Sequence, residues 1–372
     1  MFCKAPFTSQ SQWHGGSSQM CCNDKNMSRI PMAEEWNSED RKQARLDFIE
    51  GKIPDRCNHC VYIKDFGSLP KWYDRVIPET KEELIAMCDP DGHINAKPKY
   101  LHMSPSNKCQ LACRMCTPCN STMFGKVFGK EFEGGFPPED IVEYIRSCAD
   151  NLVYFVYHGG EPTLSPEFQD IIDILTPYGD QMELCMLSNG MNKNIDWDEL
   201  RKFRDVSFIF SVDGTKKYND YQRVFSDLDR VVRNIKLAQE ELPHMKLLFN
   251  HAVSNLNVTD VPEFYQMMVE TFPDAISLHH GVVVEPPYYD LCNLPEYQRE
   301  VVLEKIEALD TSEFPEVYKE AYDKVSRLVK TVFKDKPFNE DTWRTFITEE
   351  FRKKHKIKGS MGINEIIPIK SI

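Results

Sequence analysis

The sequence predicts an α/β protein whose core is a parallel sheet of six strands. From residue 99 onward, apolar strand-like runs alternate with helix-like segments, and such alternation is the main sequence signal of secondary structure. Strands that are separated by crossover helices pair in parallel, with right-handed connections. An open doubly wound sheet and a full or partial (β/α) barrel both fit this pattern. In either architecture, ligands bind at the carboxyl ends of the strands.

The predicted strands are short runs rich in β-branched and aromatic residues. They cover residues 100–103, 152–158, 182–187, 206–212, 246–253 and 275–284. The helices predicted between them cover residues 139–149, 167–175, 197–203, 227–240 and 261–270. From about residue 294 the chain is charged and helix-prone, which predicts a helical C-terminal segment packed on the sheet.

Charge and hydropathy exclude two classes of partner. The net charge of −13 argues against a nucleic-acid binder, because phosphate contacts need clustered Lys and Arg. The one basic run is interpreted as a solvated helix face; it consists of Arg352, Lys353, Lys354, Lys356 and Lys358. No segment reads as a signal peptide or as a membrane span, so we expect a soluble cytoplasmic protein without a membrane partner.

Thirteen cysteines indicate metal or redox chemistry, since a chain of this length without a signal peptide is not expected to use them as disulfides. Four are isolated and are interpreted as small buried hydrophobes: Cys88, Cys148, Cys185 and Cys292. The others form two groups. The first group is Cys3, Cys21, Cys22, Cys57 and Cys60, and the second is Cys109, Cys113, Cys116 and Cys119.

The second group follows the first predicted strand with the spacing Cys109-x3-Cys113-x2-Cys116. Three thiolates on one loop can hold three irons of a cubane cluster and leave the fourth iron open to another molecule. A zinc site is the alternative, although structural zinc prefers two separated CxxC pairs. Cys119 raises a further alternative, because as a fourth ligand it would close the cluster.

Polar motifs follow the next three predicted strands: Gly159-Gly160-Glu161-Pro162, Ser188-Asn189-Gly190 and Ser211-Val212-Asp213-Gly214, with Arg223 after the last. Together with the segment 107–116, these motifs resemble, in the same order, the signature of the radical S-adenosylmethionine (radical SAM) superfamily. The resemblance covers roughly residues 99–284. It implies a partial (β/α)6 barrel with a catalytic 4Fe–4S cluster on Cys109, Cys113 and Cys116.

The resemblance also implies a binding site for SAM. Its residues would be Gly159, Gly160, Glu161, Pro162, Ser188, Asn189, Ser211, Asp213, Arg223 and Met115. Glu161 offers an acceptor to the methionine ammonium, Ser211 and Asp213 offer partners to the ribose diol, and Arg223 offers a fork to the carboxylate. Met115 departs from the family, which usually has an aromatic residue there, but methionine can also pack against an adenine.

The first cysteine group resembles the SPASM/twitch module that holds auxiliary iron–sulfur clusters in many radical SAM enzymes. In that family the module usually follows the barrel, whereas here it precedes it. Cys3, Cys21, Cys57 and Cys60 would hold one auxiliary 4Fe–4S cluster, with Cys22 as an alternative to Cys21. A small zinc-stapled domain is the competing interpretation, since CxxC plus two more cysteines also suits zinc.

These inferences predict an auxiliary-cluster module at residues 1–95, a radical SAM core at 96–290 and a helical extension at 291–372. The leading function is hydrogen abstraction by a 5′-deoxyadenosyl radical to modify a peptide or protein side chain, with flavodoxin or ferredoxin as the reductant. A dehydrogenase, dehydratase or epimerase acting on a sugar or other small molecule is second, and a non-catalytic iron–sulfur or zinc protein is third. No catalytic acid or base is assigned, because His251, His279 and His280 are interpreted as core residues.

Overall fold

The computed structural model describes residues 2–13, 16–24, 28–57, 60, 68–129, 132, 134–357 and 361–367, without the side chains of 68–71 and 364. Contacts divide the chain into two compact units. The first comprises Met1–Lys108, Phe132–Leu187 and Asn194–Ser207, and the second comprises Cys109–Glu131, Ser188–Lys193 and Phe208–Ile372. The three-part division at residues 95 and 290 stays a prediction.

The strands confirm the predicted α/β fold. They are β1 (Ser9–Trp13), β2 (Ser17–Gln19), β3 (Tyr100–Met103), β4 (Tyr154–Tyr157), β5 (Glu183–Ser188), β6 (Asp205–Ser211), β7 (Lys246–Val253) and β8 (Ser277–Val282). Their order in the sheet is β2-β1-β3-β4-β5-β6-β7-β8. All six predicted strands are present as β3 to β8, and they follow one another in the order of the chain.

In the first unit, β1, β3, β4 and β5 form parallel ladders. Tyr100 pairs with Tyr154 and, two residues further on, His102 pairs with Val156. Because side chains alternate along a strand, Tyr100 and His102 lie on one face of the sheet and Leu101 and Met103 on the other. In the second unit, β7 and β8 also pair in parallel, with His251 opposite His280.

The hairpin of β1 and β2 was not predicted, because its residues are almost all polar. β1 nevertheless pairs in parallel with β3, and its first four residues are fully buried. Side-chain hydrogen bonds make this burial possible: Gln10 Nε2 donates to Ser18 Oγ at 2.9 Å and to the Met32 carbonyl at 2.7 Å. Specific partners, rather than an apolar pattern, therefore hold this strand in the sheet.

The helices before β4 are α1 (Ala5–Thr8), α2 (Met32–Glu35), α3 (Glu39–Ile49), α4 (Ser68–Val76), α5 (Lys81–Ala86), α6 (Thr122–Phe128) and α7 (Pro138–Cys148). Those between β4 and β8 are α8 (Phe168–Leu175), α9 (Trp197–Leu200), α10 (Lys216–Gln222), α11 (Leu228–Glu241) and α12 (Val261–Thr271). Every predicted helix is present. Local capping explains many boundaries; Ser121, for example, accepts from the Phe124 amide at the start of α6, and Gly129, with a positive φ, ends it.

The C-terminal segment is helical, as predicted, with α13 (Glu296–Ala308), α14 (Glu316–Asp335), α15 (Glu340–Lys356) and α16 (Ile363–Ile366). The face of α14 that carries Tyr318, Tyr322, Val325 and Val329 is buried, because these residues recur at helical spacing. None of the helices in the described part of the chain is long and apolar enough to cross a membrane.

Candidate functional site

The cysteine loop, residues 109–116, is fixed by its backbone to the segment after α10. The Ala112 amide donates to the Val224 carbonyl at 3.1 Å, and the Arg114 amide donates to the Gln222 carbonyl at 2.8 Å. The hydroxyl of Ser121 donates to the Leu111 carbonyl at 2.6 Å. The two backbone bonds flank Cys113 on the loop and Arg223 on the other segment, so these two residues lie opposite each other in the second unit.

The thiols of this loop lie close enough to influence one another. Burial raises the pKa of Cys113 to about 12 and that of Cys116 to about 12, while the Arg223 guanidinium acts in the opposite direction on both. Asn189 donates to the Cys109 sulfur at 3.7 Å. Three soft sulfur donors on one loop suit iron–sulfur chemistry. As the side chains stand, no three His, Cys, Asp or Glu residues of the described part of the chain converge as a ready-made metal-binding group.

Cys119 lies three residues beyond Cys116 and contacts Thr117. Its sulfur is 2.8 Å from Thr117 Oγ1, and its charge acts on Cys116. Thr117 is close to Cys119 in sequence, so this contact does not decide whether Cys119 is a ligand. That Cys119 lies near the cluster without binding it stays a prediction.

The two glycines after β4 bring that strand end against the segment that precedes Cys109. A Cβ on Gly160 would lie 2.5 Å from the Lys108 carbonyl oxygen and 2.6 Å from that of Asn107. Gly159 has a φ of 136°, which side chains disfavour. From the sequence we expected the glycines to admit a ligand; in the structure they admit the backbone of the first unit's own loop.

Glu161 and Pro162 complete this motif. Glu161 is buried, and its Oε1 accepts from the Thr163 hydroxyl at 2.7 Å. Its amide donates to the Lys108 carbonyl at 2.9 Å, and Pro162 begins a short 3-10 helix. The Glu161 carboxylate is therefore held in a fixed position at the carboxyl end of β4.

The polar residues after β5 form a network with the cysteine loop inside the second unit. Asn189 exchanges hydrogen bonds with Gln110 at 3.2 and 3.3 Å, and it accepts from the Met191 amide at 3.0 Å. Ser188 accepts from the Gly190 amide at 3.0 Å. Ser188 and Asn189 thus stabilise the turn that begins at the end of β5.

Arg223 and Asp213, which we predicted to contact different parts of SAM, form an ion pair with each other. Arg223 Nε lies 2.7 Å from Asp213 Oδ2, and the Asp213 side chain is completely buried. Asp213 also accepts from the Ala252 amide at 2.8 Å. Ser211, half-buried, ends β6 just before this pair.

Met115 packs against an apolar cluster that contains residues of the C-terminal segment. This cluster consists of Tyr221, Leu256, Val283, Tyr289, Trp343, Phe346, Ile363, Ile366 and Ile367. This contact is enough to explain an apolar side chain at position 115. The predicted contact of Met115 with the adenine of SAM stays a prediction.

Comparison with known families identifies the arrangement. Residues 103–268 match the family model described as the Radical SAM superfamily, and this range contains the cysteine loop and all the strand-end motifs described above. This part of the chain is a radical SAM domain. The cofactors of the family that this part matches are a 4Fe–4S cluster and SAM.

No curated protein sequence matches the chain significantly. The structure of native anSMEcpe with bound AdoMet is 19% identical, with a TM-score of 0.42, over 57% of this chain and 59% of that one. Streptococcus suis SuiB bound to its precursor peptide SuiA is 13% identical, with a TM-score of 0.41, over 80% of this chain and 69% of that one. The chain thus spans 59% of the length of the anSMEcpe chain that it matches.

The N-terminal thiols of the enzyme are brought together in the first unit. Cys3 and Cys57 pack against the same apolar cluster, and the charge of a shared neighbour, Cys60, acts on both. Cys21 is influenced by Cys22 and Cys3. The five cysteines of the first group therefore lie near one another, and both Cys21 and Cys22 stay candidates for the same role.

Buried ion pairs connect the segments that carry these thiols. Arg56, next to Cys57, pairs with Asp24 at 2.5 Å, and Asp24 also accepts from the Met20 amide at 3.0 Å. Glu35 pairs with Arg41 at 2.6 Å. Because isolated buried charges are costly, these pairs fix the turn after Cys21 against the segment that ends at Cys57.

Sequence reasoning missed a charged network that connects the cysteine loop to α15. Arg114 and Glu350 are fully buried and form an ion pair at 2.7 Å. Glu350 also accepts from the hydroxyls of Tyr221, at 2.6 Å, and Tyr289. Lys353 donates to the Arg114 carbonyl at 3.1 Å and to Tyr289 at 2.6 Å. No sequence signal marks Glu350, since it lies in a strongly charged helix.

The basic run of α15 is only partly the solvated face that we predicted. Lys353 is buried, and Lys356 donates to the Phe128 carbonyl at 3.1 Å. Arg352 pairs with Glu349 at 2.6 Å, and Lys358 lies outside the described residues. A cavity of about 540 Å³ adjoins the run, lined by Phe124, Phe128, Tyr288, Glu349, Arg352, Lys353, His355 and Lys356.

Asp260 makes the stability of the turn after Asp213 depend on pH. It accepts from the Thr215 amide at 2.6 Å and the Thr215 hydroxyl at 2.8 Å, and burial raises its pKa from 3.8 to about 7. Between these values the folded protein holds a proton that the unfolded chain releases, so the carboxyl's contribution to stability is present at low pH and falls as the pH rises towards 7.

An Asp260→Asn variant cannot titrate at this position. We therefore expect the Tm of the wild-type protein to fall relative to that of the variant between pH 5 and pH 8. Calorimetric scans of both proteins across this range measure the difference. A difference in Tm that stays constant with pH would contradict the role given to Asp260.

Proposed function

We propose that this radical SAM enzyme removes a hydrogen atom from a peptide or protein side chain, using a cluster held by Cys109, Cys113 and Cys116. The observation that carries the proposal is the cysteine loop itself, whose backbone is bonded to both neighbours of Arg223. When bound, the cluster and SAM supply reductive cleavage of SAM to methionine and a 5′-deoxyadenosyl radical, with the electron coming from flavodoxin or ferredoxin.

The other site residues bind and orient SAM. Glu161 is held at the end of β4 with a carboxylate oxygen that can accept from the methionine ammonium. Arg223 is pre-positioned by Asp213 and can use its remaining guanidinium N–H groups on a carboxylate. Asn189 supports the loop through Gln110 and the Cys109 sulfur. Met115, Ser188 and Ser211 complete the predicted set, with Gly159, Gly160 and Pro162 shaping the strand end.

We further propose that Cys3, Cys21, Cys57 and Cys60 hold an auxiliary 4Fe–4S cluster in a SPASM/twitch-like module. Its support is the proximity of these thiols in the first unit, together with the buried pairs that fix their segments. The resemblance of this module to those of peptide-modifying enzymes is the reason for naming a peptide as the substrate. An auxiliary cluster could give or take an electron during such an oxidation.

Iron content and SAM cleavage test this function directly. The anaerobically reconstituted enzyme is expected to bind about eight irons, four for each cluster, and to release 5′-deoxyadenosine slowly even without substrate. A variant in which Cys109, Cys113 and Cys116 are all replaced by Ala should keep about half of the iron and none of the cleavage.

Cys119→Ser is the matched control, because it changes a thiol that lies just beyond the same loop. We expect it to leave both iron content and SAM cleavage essentially unchanged. If the triple variant keeps all of its iron, or if the wild-type protein binds only zinc, the two-cluster proposal is wrong. If Cys119→Ser creates cleavage in a protein that had none, Cys119 is a ligand of the fourth iron.

A further inference from the structure

A group of buried polar atoms in the first unit has no hydrogen-bonding partner among the described residues. These atoms are Ser11 Oγ, both ring nitrogens of His102, Ser104 Oγ and His158 Nε2. Buried polar groups in native proteins are nearly always satisfied by protein, water or a ligand. Several unsatisfied groups in one place therefore indicate a molecule that the protein itself does not supply.

These residues share one face of the sheet at the carboxyl ends of β1, β3 and β4. Ser11 pairs with His102 in the ladder, and His158 follows β4 directly before Gly159. The rings of His102 and His158 are edge to face with centroids 4.2 Å apart, and Trp13 packs on His158 at 4.6 Å. The opposite face packs against a helix, where Tyr157 contacts Phe168 of α8 at 5.7 Å.

The hydrogen-bonding roles of the two histidines follow from their surroundings. A neutral imidazole carries one donor and one acceptor nitrogen, so each ring can bond a group that both donates and accepts. Burial lowers the pKa of His102 to about 4, and burial together with the neighbouring His102 ring lowers the pKa of His158 well below its ordinary value. Both rings are neutral at pH 7, and His102 offers one donor and one acceptor.

The missing partner must therefore be uncharged and must both donate and accept hydrogen bonds within this small area. A carboxylate or phosphate would need a positive partner, and an ammonium would need a negative one. A peptide group fits, because it carries an N–H donor and a carbonyl acceptor in one plane that can lie against the indole of Trp13.

We propose that Trp13, His102 and His158 form a recognition wall for a peptide group of the substrate. One of the two rings accepts from the peptide N–H, and the other donates to the peptide carbonyl. The inference rests on the proposed function only in naming a peptide as the substrate class. It adds the residues that recognise it and assigns a role to β1, which comes from the N-terminal segment.

Histidine ring signals report on this wall without requiring turnover. The probe is N-acetylglycine N-methylamide, an uncharged peptide-group analogue, added to SAM-loaded holoenzyme labelled with ¹⁵N-histidine and kept oxidised. We expect the ring nitrogen resonances of His102 and His158, assigned with His102→Gln and His158→Gln variants, to shift with this probe and not with acetate or methylammonium. If no probe shifts these resonances, water alone satisfies the atoms. If methyl glucoside gives a larger shift than the amide probe, the wall binds hydroxyl groups. Either result overturns the proposal.

Stability gives a second, independent measurement. Since unsatisfied buried polar atoms destabilise the free protein, His102→Phe is expected to raise the Tm by about 2 °C or more and to abolish the response of His158 to the amide probe. His102→Gln keeps a donor and an acceptor, so it should keep the response without the gain in Tm. If Phe does not fit beside Trp13, His102→Leu makes the same test.

The two proposals can fail separately. A protein that does not cleave SAM refutes the proposed function, whereas the amide response decides the recognition wall by itself. If His102→Phe and His102→Leu are both less stable than the wild-type protein, these nitrogens are satisfied in solution, and the recognition wall is refuted.

Discussion

Replacing Glu350 with Gln is expected to destabilise the folded enzyme by about 3–5 kcal/mol. The variant removes the carboxylate that pairs with Arg114, whose side chain is fully buried, and leaves the guanidinium without that counter-charge. Lys353, also buried, adds a second positive charge 4.0 Å from Glu350. Denaturant titration of wild-type and variant protein measures the free energy of unfolding.

Glu349→Gln is the matched control on the same helix. Glu349 pairs with Arg352, whose side chain is 68% exposed, and exposed ion pairs contribute less than about 1 kcal/mol. A variant that replaces both buried partners, Arg114→Met with Glu350→Leu, should recover part of the lost stability, since it no longer leaves the Arg114 guanidinium buried without its carboxylate. Equal costs for Glu350→Gln and Glu349→Gln would contradict the importance of the buried pair.

Glu350→Gln should also affect the cluster held by the cysteine loop. Arg114 lies between Cys113 and Met115 in the cysteine loop. Its carbonyl accepts a hydrogen bond from Lys353, which lies in α15 with Glu350. Loss of the Arg114–Glu350 ion pair is expected to loosen the loop. The iron bound by Cys109, Cys113 and Cys116 should therefore fall, while the iron bound by the N-terminal cysteines should not change. Comparing iron content with that of the triple cysteine variant separates a loosened loop from general unfolding.

The core strands could be predicted because each is a short apolar run that ends at turn-forming residues. Such runs are buried on both faces of the sheet, and their apolar composition alone indicates this burial. β7 was predicted to the residue, at Lys246–Val253. The motifs after these strands were also visible, since the carboxyl ends of parallel strands are where ligands bind.

The strand β1 could not be predicted in this way, because Ser9 to Gln12 look like a solvated loop. Its burial depends on partners that are distant in sequence, such as Tyr73 for Ser9 and Met32 for Gln10. The placement of the N-terminal cysteines depends on the same contacts. Sequence spacing indicated which cysteines belong together, but not that β1 would place Trp13 beside His102 and His158.

The Arg223–Asp213 pair illustrates the same limit within a recognised motif. Each residue was predicted from its own chemistry as a partner for SAM, and neither motif contains information about the other. The structure adds that Asp213 already occupies one side of the guanidinium. A substitution at Arg223 therefore changes two things at once, the stability of the protein and its affinity for SAM.

Arg223→Ala is expected to lower the free energy of unfolding by about 3–5 kcal/mol, because it leaves the Asp213 carboxylate buried without its partner. Adding Asp213→Asn should restore much of this loss. Lys216→Ala is the control, since its ion pairs with Asp220, Asp227 and Asp229 involve a side chain that is 52% exposed. Its expected cost is below about 1 kcal/mol.

The affinity for SAM should fall independently of this stability change. A charge-assisted hydrogen bond contributes about 1.5–3 kcal/mol, so the Kd of Arg223→Ala for SAM, measured by anaerobic calorimetry, should rise at least about tenfold. Arg223→Lys separates the two roles: lysine can still pair with Asp213, but it lacks the planar fork that a carboxylate prefers. We expect this variant to be nearly as stable as the wild-type protein and still to bind SAM more weakly. If Arg223→Ala is destabilised but binds SAM as tightly as before, Arg223 serves Asp213 alone, and the partner of the SAM carboxylate lies elsewhere.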